Sequence, residues 1–191
     1  MIVKASAEGV MASVAAVAAK GPPPVHLWNP PFCGDIDMRI ARDGTWFHDG
    51  TPIGRPALVR LFASILWREG DRYFLVTPVE KVGIRVDDAP FVAQDFEVVG
   101  TGHDQILTFV TNVGDRMVAG ANHPLRMPRD ITTDEPAPYI GVRRNLEALI
   151  DRKSFYRLID LGCHEMQDGF GWFGVWSQGV FFPLIPTADL P

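Results

Sequence analysis

The chain has 191 residues, enough for one large domain or two small ones. Its hydrophobic fraction of 47% fits a folded core and excludes a disordered chain. A net charge of −5 argues against a protein that coats DNA or RNA, but a small anion could still be held by a few cations in one cleft.

The first element is an alanine-rich run from Val10 to Ala19. With Lys4 ahead of it, it has the outline of a weak export signal. Glu8 and Gly9 interrupt that outline, and alanine, the best helix former, supplies most of the apolarity, so a short surface helix and a cytoplasmic protein are expected. No run reaches the roughly 20 apolar residues that span a bilayer. Gly21-Pro22-Pro23-Pro24 ends the helix, and a linker passes through Trp28-Asn29-Pro30-Pro31.

Ile36, Met38 and Ile40 then alternate with Asp35, Asp37 and Arg39, the period of a half-buried strand. Asp43-Gly44 turns the chain into a return strand, Thr45 to His48, and Asp49-Gly50 turns it again. Pro56 suits the first turn of a helix, and Leu58, Leu61, Phe62, Ile65 and Leu66 give that helix an apolar face. Gly70 is expected to end it. Tyr73 to Val76 reads as a strand that stops at Thr77-Pro78.

From Val79 onward strands dominate: Val82 to Val86, an extended run from Pro90-Phe91, Phe96 to Val99, Gln105 to Asn112, and Arg116 to Ala119, a meander of antiparallel hairpins. Pro124 to Pro138 is a loop. A helix is expected from about Val142, with Leu146, Leu149 and Ile150 on one face. It continues through Phe155, Leu158 and Ile159 after a restart at Ser154 and ends at Gly162. Trp172 to Trp176 and Val180 to Leu184 form a closing hairpin around Ser177-Gln178-Gly179.

Strands grouped apart from helices indicate an α+β protein. The predicted domains are residues 1–77, of which 1–31 are helix and linker, and residues 78–191. Each half pairs an antiparallel sheet with one long amphipathic helix.

In this order and spacing, Asp43-Gly44-Thr45-Trp46-Phe47-His48, Pro52-Ile53 with Arg55, Thr77-Pro78-Val79-Glu80-Lys81, Asp88-Ala89-Pro90-Phe91-Val92, Leu146-Glu147-Ala148-Leu149 and Trp176-Ser177-Gln178-Gly179 resemble the bacterial "domain of unknown function 1285" family. The resemblance spans most of the chain from Cys33 to Leu184; the first thirty residues and the loop around Met127 to Glu135 lie outside it. It implies a duplicated two-domain α+β architecture, with a second domain loosely like a pleckstrin-homology fold: a bent sheet capped by a helix. It also implies a site for a small, nucleotide-like ligand at the domain interface and a signalling role. It supplies no reaction.

Two groups of residues could carry binding chemistry. In the first, Trp46 would stack on a planar ring, Arg55 and Lys81 would pair with phosphate or carboxylate, and His48, Thr77 and Glu80 would complete the polar lining. The structural alternative puts Trp46 in the core, pairs Arg55 with Glu80, and leaves His48 on a strand surface. The second group is Asn112 with Arg143 and Asn145. Arg143 at a helix start would oppose the helix dipole unless an anion sat there.

Catalytic and metal signals are weak. His26, His48, His103, His123 and His164 show no paired metal-ligand spacing. There is no G-x-S-x-G elbow, no GxGxxG and no P-loop. Gly169 to Gly174 precedes a strand, so close packing or a bulge is expected there. Cys33 and Cys163 are far apart and read as reduced thiols, with a disulfide as the alternative.

No cofactor or metal is therefore expected. The leading expectation is non-enzymatic binding of a small anionic, nucleotide-like ligand. The alternatives are a protein-interaction or homo-oligomeric module built on Trp172, Phe173, Trp176, Phe181 and Phe182 and, last, a hydrolase using His48 and Glu80.

Overall fold

The computed structural model describes residues 9–10, 23–129 and 135–190. The helix expected over Val10 to Ala19 lies, apart from Val10, outside the described residues. The chain divides into two compact units between Pro90 and Phe91, later than the Thr77-Pro78 boundary read from the sequence. Thr77-Pro78 instead opens a turn inside the first sheet. The strand that follows it pairs on both sides within that sheet, so it belongs to the first unit.

The first sheet contains β1 (Phe32–Ile40), β2 (Trp46–His48), β3 (Thr51–Pro52), β4 (Leu66–Glu69), β5 (Arg72–Val76) and β6 (Lys81–Val86), in the order β3-β2-β1-β6-β5-β4. Its turns follow from the sequence. Asp49 and Gly50 both adopt positive φ, 47° and 71°, between the paired residues His48 and Thr51. That is what a two-residue hairpin demands. At Asp43-Gly44 the Asp43 carboxylate accepts the Thr45 N–H at 2.9 Å.

β3 and β4 lie at opposite edges of the sheet, and helix α1 (Pro56–Ser64) carries the chain between them. Phe62 of α1 stacks on Trp46 with ring centroids 6.1 Å apart. With Met38, Ile40, Leu75 and Val82 they form a buried core. The helix is shorter than expected. Leu66 leaves it to pair with Leu75, and Gly70 serves the β4–β5 hairpin rather than the end of the helix. Ile65 and Leu66 satisfy both the helical and the strand pattern, so periodicity alone did not separate the two.

The second unit repeats the plan with β7 (Phe91–Val99), β8 (Ile106–Thr111), β9 (Arg116–Val118), β10 (Leu125–Arg126), β11 (Tyr139–Arg143) and β12 (Leu146–Ile150), in the order β10-β11-β12-β7-β8-β9. Counted within each unit, both sheets read 3-2-1-6-5-4. In both, the first and sixth strands form a central parallel pair, flanked by antiparallel hairpins. Of the strands in the expected meander, β7, β8 and β9 do form one, paired antiparallel in chain order, whereas Val82 to Val86, as β6, pairs with β1 and β5 in the first sheet.

The long helix expected from Val142 is two strands and a short helix. Arg144, at φ 52°, and Asn145 turn β11 into β12. Leu146, Ala148 and Ile150 are buried in alternation, the strand period. Helix α2 (Arg152–Ile159) starts only after Asp151, whose side chain caps it by accepting the Ser154 N–H at 2.7 Å.

A three-stranded sheet, β13 (Cys163–Gln167), β14 (Phe170–Ser177) and β15 (Val180–Pro186), completes the unit. β13 was not anticipated. Ser177 joins this sheet to the larger one: its hydroxyl accepts the Leu107 N–H at 3.0 Å and donates to the Ala119 carbonyl at 2.7 Å. The register of β14 and β15 shifts at Gly174. A Cβ there would lie 2.2 Å from the Phe182 carbonyl oxygen, which confirms the close packing expected of this glycine-rich run. Among the described residues, no helix is long and apolar enough to cross a membrane.

Candidate functional site

After the proline run the chain makes one turn of 3-10 helix at Val25–Leu27 and continues to Pro31, whose carbonyl accepts the Lys81 N–H at 3.1 Å. That bond fixes the segment against β6. The segment forms one wall of a groove of about 230 Å³; Trp28 and Asn29 line it there, and Trp67, Glu69, Val76 and Lys81 line it from the sheet.

Strand alternation puts these sheet residues on the face away from the Trp46–Phe62 core. Ile40, Trp46 and Val86 are paired in register on the core face, whereas Lys81 belongs with Phe32 and Val76 on the other. Lys81 extends 5.0 Å from the Phe74 ring centroid, and its amine donates to both Glu69 oxygens at 3.1 Å. Its side chain is only 20% exposed, which desolvates the stem while the charged end reaches the groove.

A second charge pair crosses the same face. Arg72 donates to Asp35 at 2.8 Å, and its guanidinium lies over the Phe32 and Phe74 rings. Asp35 stands beside Gly83 in register, and a Cβ at Gly83 would be 1.9 Å from its carboxylate oxygen. Glycine at this position lets the Asp35 carboxylate lie over β6, and a larger residue would have to push it aside.

The first sequence-predicted group is thus divided by the sheet. Lys81 faces the groove. Trp46 is 1% exposed and stacked on Phe62, so it is a core residue rather than a platform for a ligand. His48 shares the Trp46 side of β2, with Nε2 3.7 Å from Asp49. Arg55 is the exposed N-cap residue of α1 and makes no side-chain cap. Thr77 is buried, and its hydroxyl accepts the Val79 and Glu80 N–H groups at 3.3 and 3.1 Å, which shapes the β5–β6 turn. Glu80 is half-buried, and burial pushes its carboxyl above the ordinary range.

In the second unit, the Asn112 side chain accepts the Val92 N–H at 3.1 Å and extends the β7–β8 pairing. Arg143 ends a strand rather than starting a helix, so no helix dipole acts on it there. It is ion-paired with Asp115 and lies 4.8 Å from the Phe91 ring centroid.

Near the C-terminus Phe181 and Phe182 are buried. Trp176 packs 3.9 Å from the His103 ring and donates to Glu165 at 3.2 Å. Both cysteines are free, and burial, with Glu165 close by, pushes the Cys163 thiol up, away from a reactive thiolate. Among the described residues, no three His, Cys, Asp or Glu side chains are placed to hold a metal.

Trp28, Trp67 and Glu69 were missed by sequence reasoning. Trp28 was read as linker. Trp67 and Glu69 fall at the end of the expected helix, and no local signal separates them from it, because Leu66 to Glu69 suits helix and strand alike.

Two sheets of the same strand order, each accompanied by an amphipathic helix, define a duplicated two-domain α+β protein with a groove on its first sheet. Residues 23–89 match "Domain of unknown function (DUF1285), N-terminal domain", and residues 90–184 match "Protein of unknown function (DUF1285), C-terminal domain". The chain belongs to the DUF1285 family. It is similar to the crystal structure of a DUF1285 family protein from Silicibacter pomeroyi DSS-3: 68% identity over 96% of this chain and 98% of that one, TM-score 0.87. It is also similar to a DUF1285 family protein from Shewanella baltica OS155, at 31% identity over 64% of this chain and 90% of that one, TM-score 0.50. No curated protein matches it.

Proposed function

We propose that this protein is a bacterial, cytoplasmic binding module that holds a small anionic, nucleotide-like ligand in the groove of its first unit and serves in signalling. The observation that carries this reading is the convergence of one lysine amine with Trp28 and Trp67 around about 230 Å³. Tryptophan faces suit a planar ring, and an ammonium suits phosphate or carboxylate. The volume lies below the roughly 300–1,000 Å³ of pockets for drug-sized ligands, which favours one ring system over an extended molecule.

A thermal-shift screen against nucleotides, phosphosugars and dicarboxylates tests this. A ligand at about 100 times its dissociation constant stabilises the fold by about 2.7 kcal/mol. Lys81→Ala and Trp67→Ala should each remove the shift while the fold persists. A full shift in Lys81→Ala would reject the groove as the site.

A second reading, self-association, is favoured by the β13–β14 hairpin, where Met166 and Phe170 are 70% and 71% exposed. Light scattering across concentration tests it. A monomer throughout, unaltered by Phe170→Asp, rejects it.

A further inference from the structure

We propose that Glu69 is the groove's resident anion and sets its ligand class. It holds Lys81 until a ligand phosphate displaces it, and then turns to Arg72. This rests on the groove being a ligand site and adds a selection rule to it.

Both Glu69 oxygens lie 3.1 Å from the Lys81 amine, so an incoming anion meets a cation already neutralised. Such an anion must either displace the carboxylate or sit beside it, and two anions in one partly desolvated groove repel. Glu69 is well placed to leave. It is the last residue of β4, its side chain is 49% exposed, and Gly70 turns the chain immediately after it. Side-chain rotation alone can move the carboxylate, with the β4–β5 ladder intact.

A destination is built in. Arg72 is the residue directly opposite Glu69 in the ladder, so their side chains emerge on one face within reach of each other. Arg72 is held over Phe32 and Phe74 by its bond to Asp35. A guanidinium has five N–H donors, enough for a second carboxylate. Exchange of Glu69 from Lys81 to Arg72 leaves Lys81 for the ligand and keeps every charge partnered.

The consequence is selectivity. A ligand with a single carboxylate only matches Glu69. A phosphate monoester, close to a dianion at neutral pH, outcompetes it. The ligand class is therefore a planar ring bearing a phosphate monoester, and carboxylate analogues are excluded.

The test is calorimetry on the full chain with adenosine monophosphate and adenosine. The quantity read is the ratio of their affinities. Glu69→Gln keeps the shape and removes the competing charge, so the ratio should rise by roughly tenfold. Arg72→Gln removes the destination, so the ratio should fall by roughly threefold. A ratio in Glu69→Gln that stays constant or falls overturns the gate. If the native chain and both variants bind neither probe, the ligand reading falls and the gate falls with it. If the probes bind but the ratio ignores Glu69, only the gate falls.

Discussion

The two six-stranded sheets share a strand order and differ in how the chain crosses from the third strand to the fourth. In the first unit the crossing is helix α1, which covers one face and leaves the other for the groove. In the second unit residues 119–124 make the same crossing, and the Gly120–His123 bridge folds them further. Fully extended, such a segment reaches only about 24 Å. A flat six-stranded sheet is about as wide, at roughly 4.8 Å per strand spacing. A folded crossing that short requires the sheet to bend until its edges approach. The helix of the second unit is released to a place after the sixth strand, where Arg157 bonds to Asp95 and to the Phe96 carbonyl of β7. One topology thus gives a helix-backed sheet with an open face and a curled sheet closed by an added hairpin layer.

The largest expected effect tests the helix-backed face. Trp46→Ala removes the ring on which Phe62 rests and should cost about 3–5 kcal/mol in guanidinium unfolding followed by circular dichroism. A cost below about 1 kcal/mol would show that α1 does not seal this sheet. Next comes the joint between the two layers of the second unit. Ser177→Ala leaves the Leu107 N–H and the Ala119 carbonyl without their partner and should cost about 1–3 kcal/mol. No loss would mean that the hairpin layer is held by apolar contact alone. Asp151→Ala, which uncaps the displaced helix, should cost about 0.5–2 kcal/mol by the same measurement.

The smallest effect is one of sign. Burial raises the Glu80 carboxyl pKa in the fold above its unfolded value. The folded state then favours the protonated acid, so its stabilisation is present below the unfolded pKa and is lost as pH rises through the folded one. Glu80→Gln should therefore gain stability over the native chain at neutral pH, and the gain should vanish in acid. A gain that persisted in acid, or a loss at pH 7, would show that the ionised carboxylate has a stabilising role in the β5–β6 turn.

Much of this architecture was legible in local chemistry. Asp-Gly pairs fixed the β1–β2 and β2–β3 hairpins because their backbone needs positive φ at defined places. Pro56 opened α1, alternation marked β1 and β6, and Thr77-Pro78 marked the end of β5. The misreadings share one cause: Leu66 to Glu69 and Val142 to Ile150 carry apolar residues that suit helix and strand alike, and only pairing with β5 and β7 decided between them. The family, too, was legible in the order of short motifs.

The sequence by itself therefore determined the turns, most of the strands and the family, because these depend on residues close together in the chain. The tertiary structure decided which face each residue serves. Trp46 and Lys81 both looked like ligand residues, yet strand alternation and register put one under α1 and the other in the groove with Trp28, Trp67 and Glu69. No local signal encodes that division, because it arises from hydrogen bonds between strands far apart in sequence.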